Sequence, residues 1–309
     1  ELLLWAVKNW NYSHLNANLH QELTSKKIKK YQEYIAQRVV GKPVAYIIKQ
    51  QDFCGLTITV SPNVLIPRPE SELLVELIKQ AIINLLKSTF QITLKTAPKS
   101  ADKPIGKPTR EINILELGTG SGAISLALAD FIAHKMSTNK YHFLPFFNIV
   151  ASDIEDKALK VAETNAKRLK LEKSKYHSLN FIQADLFTKN NSQKIDLVVA
   201  NLPYIPSSRI EKLTDEVKNF EPHLALDGGP DGFDLYRQLF NQLTHHSLKP
   251  KLLICEIDDS QRQIALNFIN SLLLAERPKS VIILPDLADR DRFLICSWSD
   301  PTLIPALRV

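Results

Sequence analysis

Apolar and polar positions recur along this chain in two different periods, and the switches between them divide it. Over the first fifty residues Ile28, Tyr31, Ile35 and Val39 recur at helical spacing, and Gly41-Lys42-Pro43 closes the run. A helix stopped by residues that cannot continue it is expected, so residues 1–50 are predicted to form a small helical domain. From Asp52 to Ile66 the period shortens. Phe53-Cys54-Gly55-Leu56-Thr57-Ile58-Thr59-Val60 reads as a strand, Ser61-Pro62-Asn63 as a turn, and Val64-Leu65-Ile66 as the return. This predicts a β-hairpin linker over residues 51–66. Helical spacing resumes from Glu70 to Leu86. Residues 87–110, rich in Lys, Ser, Thr and Pro, lose periodicity and read as an exposed, flexible insertion.

Beyond the insertion, short apolar runs alternate with helical stretches. Strands are predicted at 112–117, 147–152, 179–184, 195–200, 251–257, 280–284 and 292–298. Between them Ala158-Val161-Ala162, Tyr236-Leu239-Phe240-Leu243 and Ala265-Phe268-Ile269-Leu272 have the spacing of core-facing helices. Such βαβ alternation predicts an α/β, Rossmann-like domain over residues 67–309, its mostly parallel sheet covered on both faces.

Composition narrows the setting. The chain has 309 residues, is 44% hydrophobic and 23% charged, and carries a formal charge of +6. That balance belongs to a globular protein and permits a polyanionic partner without requiring one. Lysines cluster at Lys26, Lys27, Lys29 and Lys30 and again around Lys167, Arg168, Lys170, Lys173 and Lys175, and both clusters read as solvated helix faces. Cys54, Cys255 and Cys296 are far apart and lack a CxxC pattern, which points to no disulfide framework, no zinc site and a reduced, cytoplasmic location. No run approaches the roughly 18 apolar residues of a membrane span. Glu1-Leu2-Leu3-Leu4-Trp5 also lacks the basic flank of a signal peptide.

Candidate chemistry gathers at strand ends. The first strand of the α/β domain runs into Gly118-Thr119-Gly120-Ser121-Gly122. This GxGxG turn differs from the GxGxxG dinucleotide fingerprint and has no P-loop lysine, so an adenosine ligand without phosphates fits it better than NAD or ATP. The second strand ends at Asp153 and the third at Asp185-Leu186-Phe187. Asp153 is placed to accept from a ribose diol, Asp185 from an exocyclic adenine amine; alternatively each simply caps a following helix. Taken together and in chain order, the set implies S-adenosylmethionine.

The fourth strand ends in Asn201-Leu202-Pro203-Tyr204. A planar NH2 group is a poor nucleophile because its lone pair is delocalised. A site that accepts from both its N–H groups, through the Asn201 side-chain oxygen and the Leu202 carbonyl, would align it and favour its pyramidal form. Tyr204 supplies a wall on which a flat group stacks.

With these motifs the chain resembles the class I S-adenosylmethionine-dependent methyltransferases and, among them, the release factor glutamine methyltransferases, the HemK or PrmC family. The resemblance is carried by Arg38 to Ile47, Phe53 to Leu56, Val64-Leu65-Ile66-Pro67-Arg68-Pro69-Glu70-Ser71-Glu72, Glu221-Pro222, Leu226 to Arg237 with its Asp227-Gly228-Gly229-Pro230-Asp231-Gly232 core, and Asp286 to Arg292. It implies a helical N-terminal domain that helps bind the substrate protein, a hairpin linker and a seven-stranded catalytic domain. The implied reaction is methyl transfer to the glutamine amide of the Gly-Gly-Gln motif of a peptide chain release factor. By motif matching Gly118 to Gly122, Asp153, Leu186 and Asn201 fall on cofactor positions, with Asp185 an adenine partner. Asn201 to Tyr204 fall on the substrate-amide site, and no metal is implied.

The family's usual Asn-Pro-Pro-Tyr has Leu202 in place of the first proline here. The acceptor is a backbone carbonyl, which leucine keeps, although the fixed φ of proline is lost. Asn-Leu-Pro-Tyr also occurs in ribosomal RNA adenine-N6 methyltransferases, whose glycine motif lies near the N-terminus; here over a hundred residues precede Gly118. A ribosomal-protein glutamine methyltransferase shares most of the motifs. Indirect proximity to the ribosome or RNA is compatible with the basic charge.

Overall fold

A computed structural model describes residues 1–8, 17–18, 20–96, 111–137, 145–187 and 194–306. At the N-terminus lie helices α1 (Leu2–Lys8), α2 (Ser25–Val39) and α3 (Val44–Ile48). The α2 stripe of Ile28, Ile35 and Val39 stays exposed. What anchors this region is the short α3, whose Tyr46 is buried and donates its hydroxyl to the Val64 carbonyl at 2.6 Å. Arg38 at the end of α2 pairs with Glu216 of the later helix α8 (Asp215–Phe220), which follows the single-turn α7 (Ser207–Ile210).

A two-stranded hairpin follows, β1 (Gln50–Phe53) with β2 (Leu56–Thr59). Its turn falls at Cys54-Gly55, not at Ser61-Pro62-Asn63. Both turn residues have positive φ, 49° and 78°, the geometry whose twist matches that of paired strands. Leu65 and Ile66 do not return as a strand either: Pro62, Pro67 and Pro69 supply no N–H for a ladder. Instead the Ile66 N–H donates to the buried Glu221 carboxylate at 3.1 Å. The hairpin is clamped from outside by Asn165, fully buried, which pairs with both the N–H and the carbonyl of Thr59 and also donates to the Ser121 carbonyl.

Helix α4 runs over Glu70–Thr96, ten residues beyond the expected end at Leu86. Its last ten residues are polar but contain neither Gly nor Pro, so nothing local stops the helix before Pro98. The rest of the expected insertion, residues 97–110, lies outside the described residues.

The seven-stranded sheet is built from β3 (Glu111–Leu117), β4 (Phe146–Asp153), β5 (His177–Gln183), β6 (Leu197–Ala200), β7 (Leu252–Glu256), β8 (Ser280–Pro285) and β9 (Asp291–Ser297). All seven lie within two residues of their expected bounds. Their order is β5-β4-β3-β6-β7-β9-β8, parallel throughout except for β9, which runs antiparallel to both neighbours. Alternate strand residues feed two cores. Ile112, Ile114, Leu197 and Val199 face helices α4 and α5 (Ala123–Ser137), while Leu115, Leu117, Val198 and Ala200 face α9 (Asp234–His245) and α10 (Arg262–Ser271). Burial on both faces is why β6 and β7 read as near-continuous apolar runs. Connections leave β3 in one direction along the sheet and β6 in the other. A crevice is expected at the carboxyl ends of these two strands, where the strand order reverses.

Candidate active site

That crevice is lined by Gly118, Thr119, Gly120 and Ser121, by Asp153, Asp185 and Leu186, and by Asn201, Leu202 and Pro203. The sequence-predicted residues of four strand ends are thus brought to one cleft. Gly122 and Tyr204 are set back from its surface: Gly122 packs on Ala162 of helix α6 (Asp156–Leu169), and Tyr204 sends its hydroxyl inward.

At the glycine turn, a Cβ built on Gly120 would meet no protein atom within 4 Å and would project into open space. The Gly120 N–H donates to Asp153 Oδ2 at 2.8 Å, and Glu155 N–H donates to Asp153 Oδ1 at 3.0 Å. Asp153 therefore fastens the turn to the second strand and does not cap α6, whose N-cap is Glu155. Burial pushes the Asp153 carboxyl above its ordinary range, against the backbone N–H bonds that lower it. Asp185 Oδ2 accepts from Gln238 at 3.1 Å, and Leu186 takes a left-handed φ of 64° with its carbonyl held by Ser152.

Glu116, one residue before the end of β3, was not singled out by sequence, although an acid inside an apolar strand was the available signal. It is 1% exposed, and Thr119 at 2.8 Å and Ser125 both donate to its Oε2. Burial raises its pKa to about 7.

The second half of the site surrounds Asn201. Its Nδ2 donates to Ser71 Oγ at 3.0 Å and to Glu256 Oε2 at 3.2 Å. Ser71 also donates to Glu256 Oε2 at 2.8 Å, and Tyr204 donates to Glu256 Oε1 at 2.9 Å. A carboxylate only accepts, so the amide nitrogen faces it and the Asn201 oxygen points away. Among the described residues neither Asn201 Oδ1 nor the Leu202 carbonyl accepts a hydrogen bond. Glu256 is 1% exposed, and burial pushes its carboxyl upward.

The backbone of this tetrapeptide is held by the loop at Asp227 to Gly232. Ile205 N–H donates to the Leu226 carbonyl and Gly228 N–H to the Ile205 carbonyl, while Gln261 Nε2 donates to the Tyr204 carbonyl at 2.9 Å. Packing is so close that a Cβ on Gly228 would lie 2.6 Å from the Pro203 oxygen. Leu202 fills space beside Gly118, and its N–H donates to Tyr236 Oη at 3.3 Å. Ser71, Glu256 and Gln261 are functional candidates that local patterning missed.

The cleft lining holds Glu116, Asp153, Glu155 and Asp185 against one cation, Arg68, which pairs with Glu221. Anionic phosphates do not suit such a lining. A ligand of hydroxyls, amines and positive charge does, and the open space at Gly120 leaves room for it against the backbone.

Comparison with known proteins bears on the fold and the family. The family described as "Methyltransferase domain" matches residues 108–261. A solved structure of the hMettl16 catalytic domain in complex with MAT2A 3′UTR hairpin 1 covers 100% of this chain and 95% of that chain, with TM-score 0.57 at 11% identity, a likeness of fold alone. Fold and site define a class I methyltransferase.

The family described as "PrmC N-terminal domain" matches residues 1–48. A release factor glutamine methyltransferase of Moorella thermoacetica is 34% identical over 94% of this chain and 87% of its own length. One from Bradyrhizobium diazoefficiens is 32% identical over 90% and 81%. A Rickettsia typhi protein named bifunctional methyltransferase is 32% identical over 86% of this chain, which spans 48% of that longer protein. The chain belongs to the release factor glutamine methyltransferase family.

Proposed function

We propose that the protein transfers a methyl group from S-adenosylmethionine to the side-chain amide nitrogen of the glutamine in the Gly-Gly-Gln motif of a peptide chain release factor. Gly118 to Gly122 would hold the cofactor against the backbone, Asp153 its ribose hydroxyls, and Asp185 with Leu186 its adenine. When bound, the cofactor supplies an electrophilic methyl on a sulfonium sulfur.

The observation that carries the substrate reading is the orientation of Asn201. With its nitrogen engaged by Ser71 and Glu256, its oxygen is left to accept one N–H of a substrate amide, and the Leu202 carbonyl accepts the other. Two acceptors in fixed positions hold the nitrogen lone pair in line and favour the charge that grows on the nitrogen. Tyr204 does not line the cleft as the expected wall; fixed through its hydroxyl to Glu256, it supports the tetrapeptide from behind. No general base is required before transfer, because the methylated nitrogen becomes cationic and acidic and then releases its proton. In this reading residues 1–50 help dock the release factor and the hairpin region joins them to the catalytic domain. The setting is a reducing cytoplasm, in keeping with the free thiols of Cys54, Cys255 and Cys296.

The test is transfer of radiolabelled methyl from S-adenosylmethionine to a purified release factor, with ribosomal protein and ribosomal RNA in parallel reactions. Labelling of the release factor is expected, and replacement of its Gly-Gly-Gln glutamine by alanine abolishes it. Labelling of RNA with none on the release factor would sink the proposal.

A further inference from the structure

We infer that Ser71 and Glu256 are positioning residues for the amide site, which aim and polarise the Asn201 carboxamide. The inference rests on Asn201 being the substrate-amide acceptor, and it adds the question of what makes that residue present oxygen to the cleft. An asparagine amide is nearly symmetrical in shape, and packing alone does not distinguish its two ends. Here the distinction is chemical. Asn201 Nδ2 lies 3.2 Å from Glu256 Oε2 and 3.0 Å from Ser71 Oγ, and the Ser71 hydroxyl hydrogen is committed to the same Oε2 at 2.8 Å. Ser71 Oγ thus has only lone pairs to offer Asn201. A flipped amide would set its oxygen against the carboxylate, and the Ser71 hydroxyl could meet it only by giving up its bond to Glu256.

Glu256 is itself fixed. Tyr204 donates to its other oxygen at 2.9 Å, and Arg292 and Glu70 are the further charged groups that act on it. Ser71 sits in the first turn of α4, next to Pro67, Arg68 and Pro69, and Arg68 pairs with the buried Glu221. Three separate segments therefore converge on one carboxamide: the start of α4, the end of β6 and the end of β7.

Two consequences for the reaction follow. A charge-assisted hydrogen bond at Nδ2 draws electron density through the amide onto Oδ1, making it a stronger acceptor, as expected of hydrogen bonds in series in a poorly solvated site. The buried negative charge also favours the positive charge that develops on the substrate nitrogen.

The full chain, with release factor as methyl acceptor, supplies the test. Glu256→Gln presents one oxygen where two are needed, for Asn201 and for Tyr204. Turnover at saturating substrates is expected to fall about tenfold or more, the size of losing a hydrogen bond to a charged group. KM for the release factor and the dissociation constant of S-adenosylhomocysteine should stay within about twofold. Ser71→Ala, which leaves the Tyr204 contact in place, should lower turnover in the same sense.

The deciding readout is a cycle with Asn201→Ala. If Ser71 and Glu256 act through Asn201, then Ser71→Ala in the Asn201→Ala background costs no further turnover. Fully additive losses, or a weakened KM with unchanged turnover, would overturn the inference. Wild-type turnover in Asn201→Ala would instead refute the amide-site reading beneath it. Slow Asn201→Ala with normal Ser71→Ala and Glu256→Gln refutes only the positioning role.

Discussion

Gly228→Ala isolates the steric dependence of the amide site on the loop that packs behind it. The φ of Gly228 is not in the left-handed region, so alanine brings only a methyl group. That methyl carbon would lie 2.4 Å from the Gly232 oxygen, 2.6 Å from the Pro203 oxygen and 2.8 Å from Tyr204 Cα. All three are backbone atoms, so no side-chain rotation relieves the contact. Ordinary contact begins near 3.4 Å, which leaves the Pro203 oxygen about 0.8 Å too close. The two segments are also joined through Ile205, whose N–H and carbonyl pair with Leu226 and Gly228, so they must separate together and carry Pro203 and Tyr204 with them. Misplacing a reacting-group contact by about 1 Å costs on the order of a hundredfold in rate. Methyl transfer to the release factor is therefore expected to drop by about two orders of magnitude, with about 1–3 kcal/mol lost from stability through overpacking. S-adenosylhomocysteine affinity, measured by calorimetry on the same sample, should change little because the glycine turn lies on other strands. Turnover within about threefold of wild type would refute the reasoning, since a shift of the calculated size could not then reach the acceptor carbonyl.

Three other perturbations separate the remaining parts of the site. Gly120→Ala places a methyl in the open cleft at a φ of 55°; it should weaken S-adenosylhomocysteine binding while costing about 1–2 kcal/mol in stability, and unchanged affinity would move the cofactor elsewhere. Tyr236→Phe strips a partner from the buried Leu202 N–H and a donor from the Glu256 carbonyl, a loss of about 1–3 kcal/mol. Because proline has no N–H, the same change should cost less in Leu202→Pro, a variant expected to remain active; additive urea-denaturation energies would contradict the assigned bond. Glu116 titrates near 7 when folded against 4.5 for a free side chain. Its raised pKa means that the folded chain holds the proton longer, so its stabilising effect is complete below about pH 4.5 and lost as pH rises through about 7, by up to about 3 kcal/mol. Glu116→Gln should flatten the urea-melt profile between about pH 5 and pH 8; equal slopes for the two proteins would assign the titration to another group.

What was legible in sequence follows from the range of the forces involved. The strands could be read because burial leaves a local record: β6 and β7, buried throughout, are near-continuous apolar runs, and the others keep several apolar residues bounded by polar ones. Asp153, Asp185 and Asn201 were readable because a polar group directly after such a run must sit at the carboxyl end of the sheet. The turn at Cys54-Gly55 was not, since cysteine is no turn signal and positive φ leaves no mark on polarity. The helix through Thr96 was hidden by the polarity of its last ten residues, which obscured an amphipathic stripe but offered no breaker. Ser71 and Glu256 escaped for a different reason. Their meaning lies in contacts with Asn201 that span 130 and 55 residues, and no window along the chain contains them.

Those long contacts also set the Ile66 to Ser71 stretch and the Asp227 to Gly232 loop apart from the glycine turn. A glycine turn after a strand meets a requirement shared by any ligand that approaches the backbone closely. The Ile66 to Ser71 stretch does something narrower: it brings Ser71 to the Asn201 nitrogen and, through Arg68 and Ile66, fastens itself to Glu221. The loop fixes the backbone that carries the carbonyl of the proposed amide site, and only glycine at 228 permits that approach. Leu202 fits the same division of labour. Its side chain packs beside Gly118 and its N–H is taken by Tyr236, so the one polar group of this residue without a partner among the described residues is the carbonyl that proline would also provide.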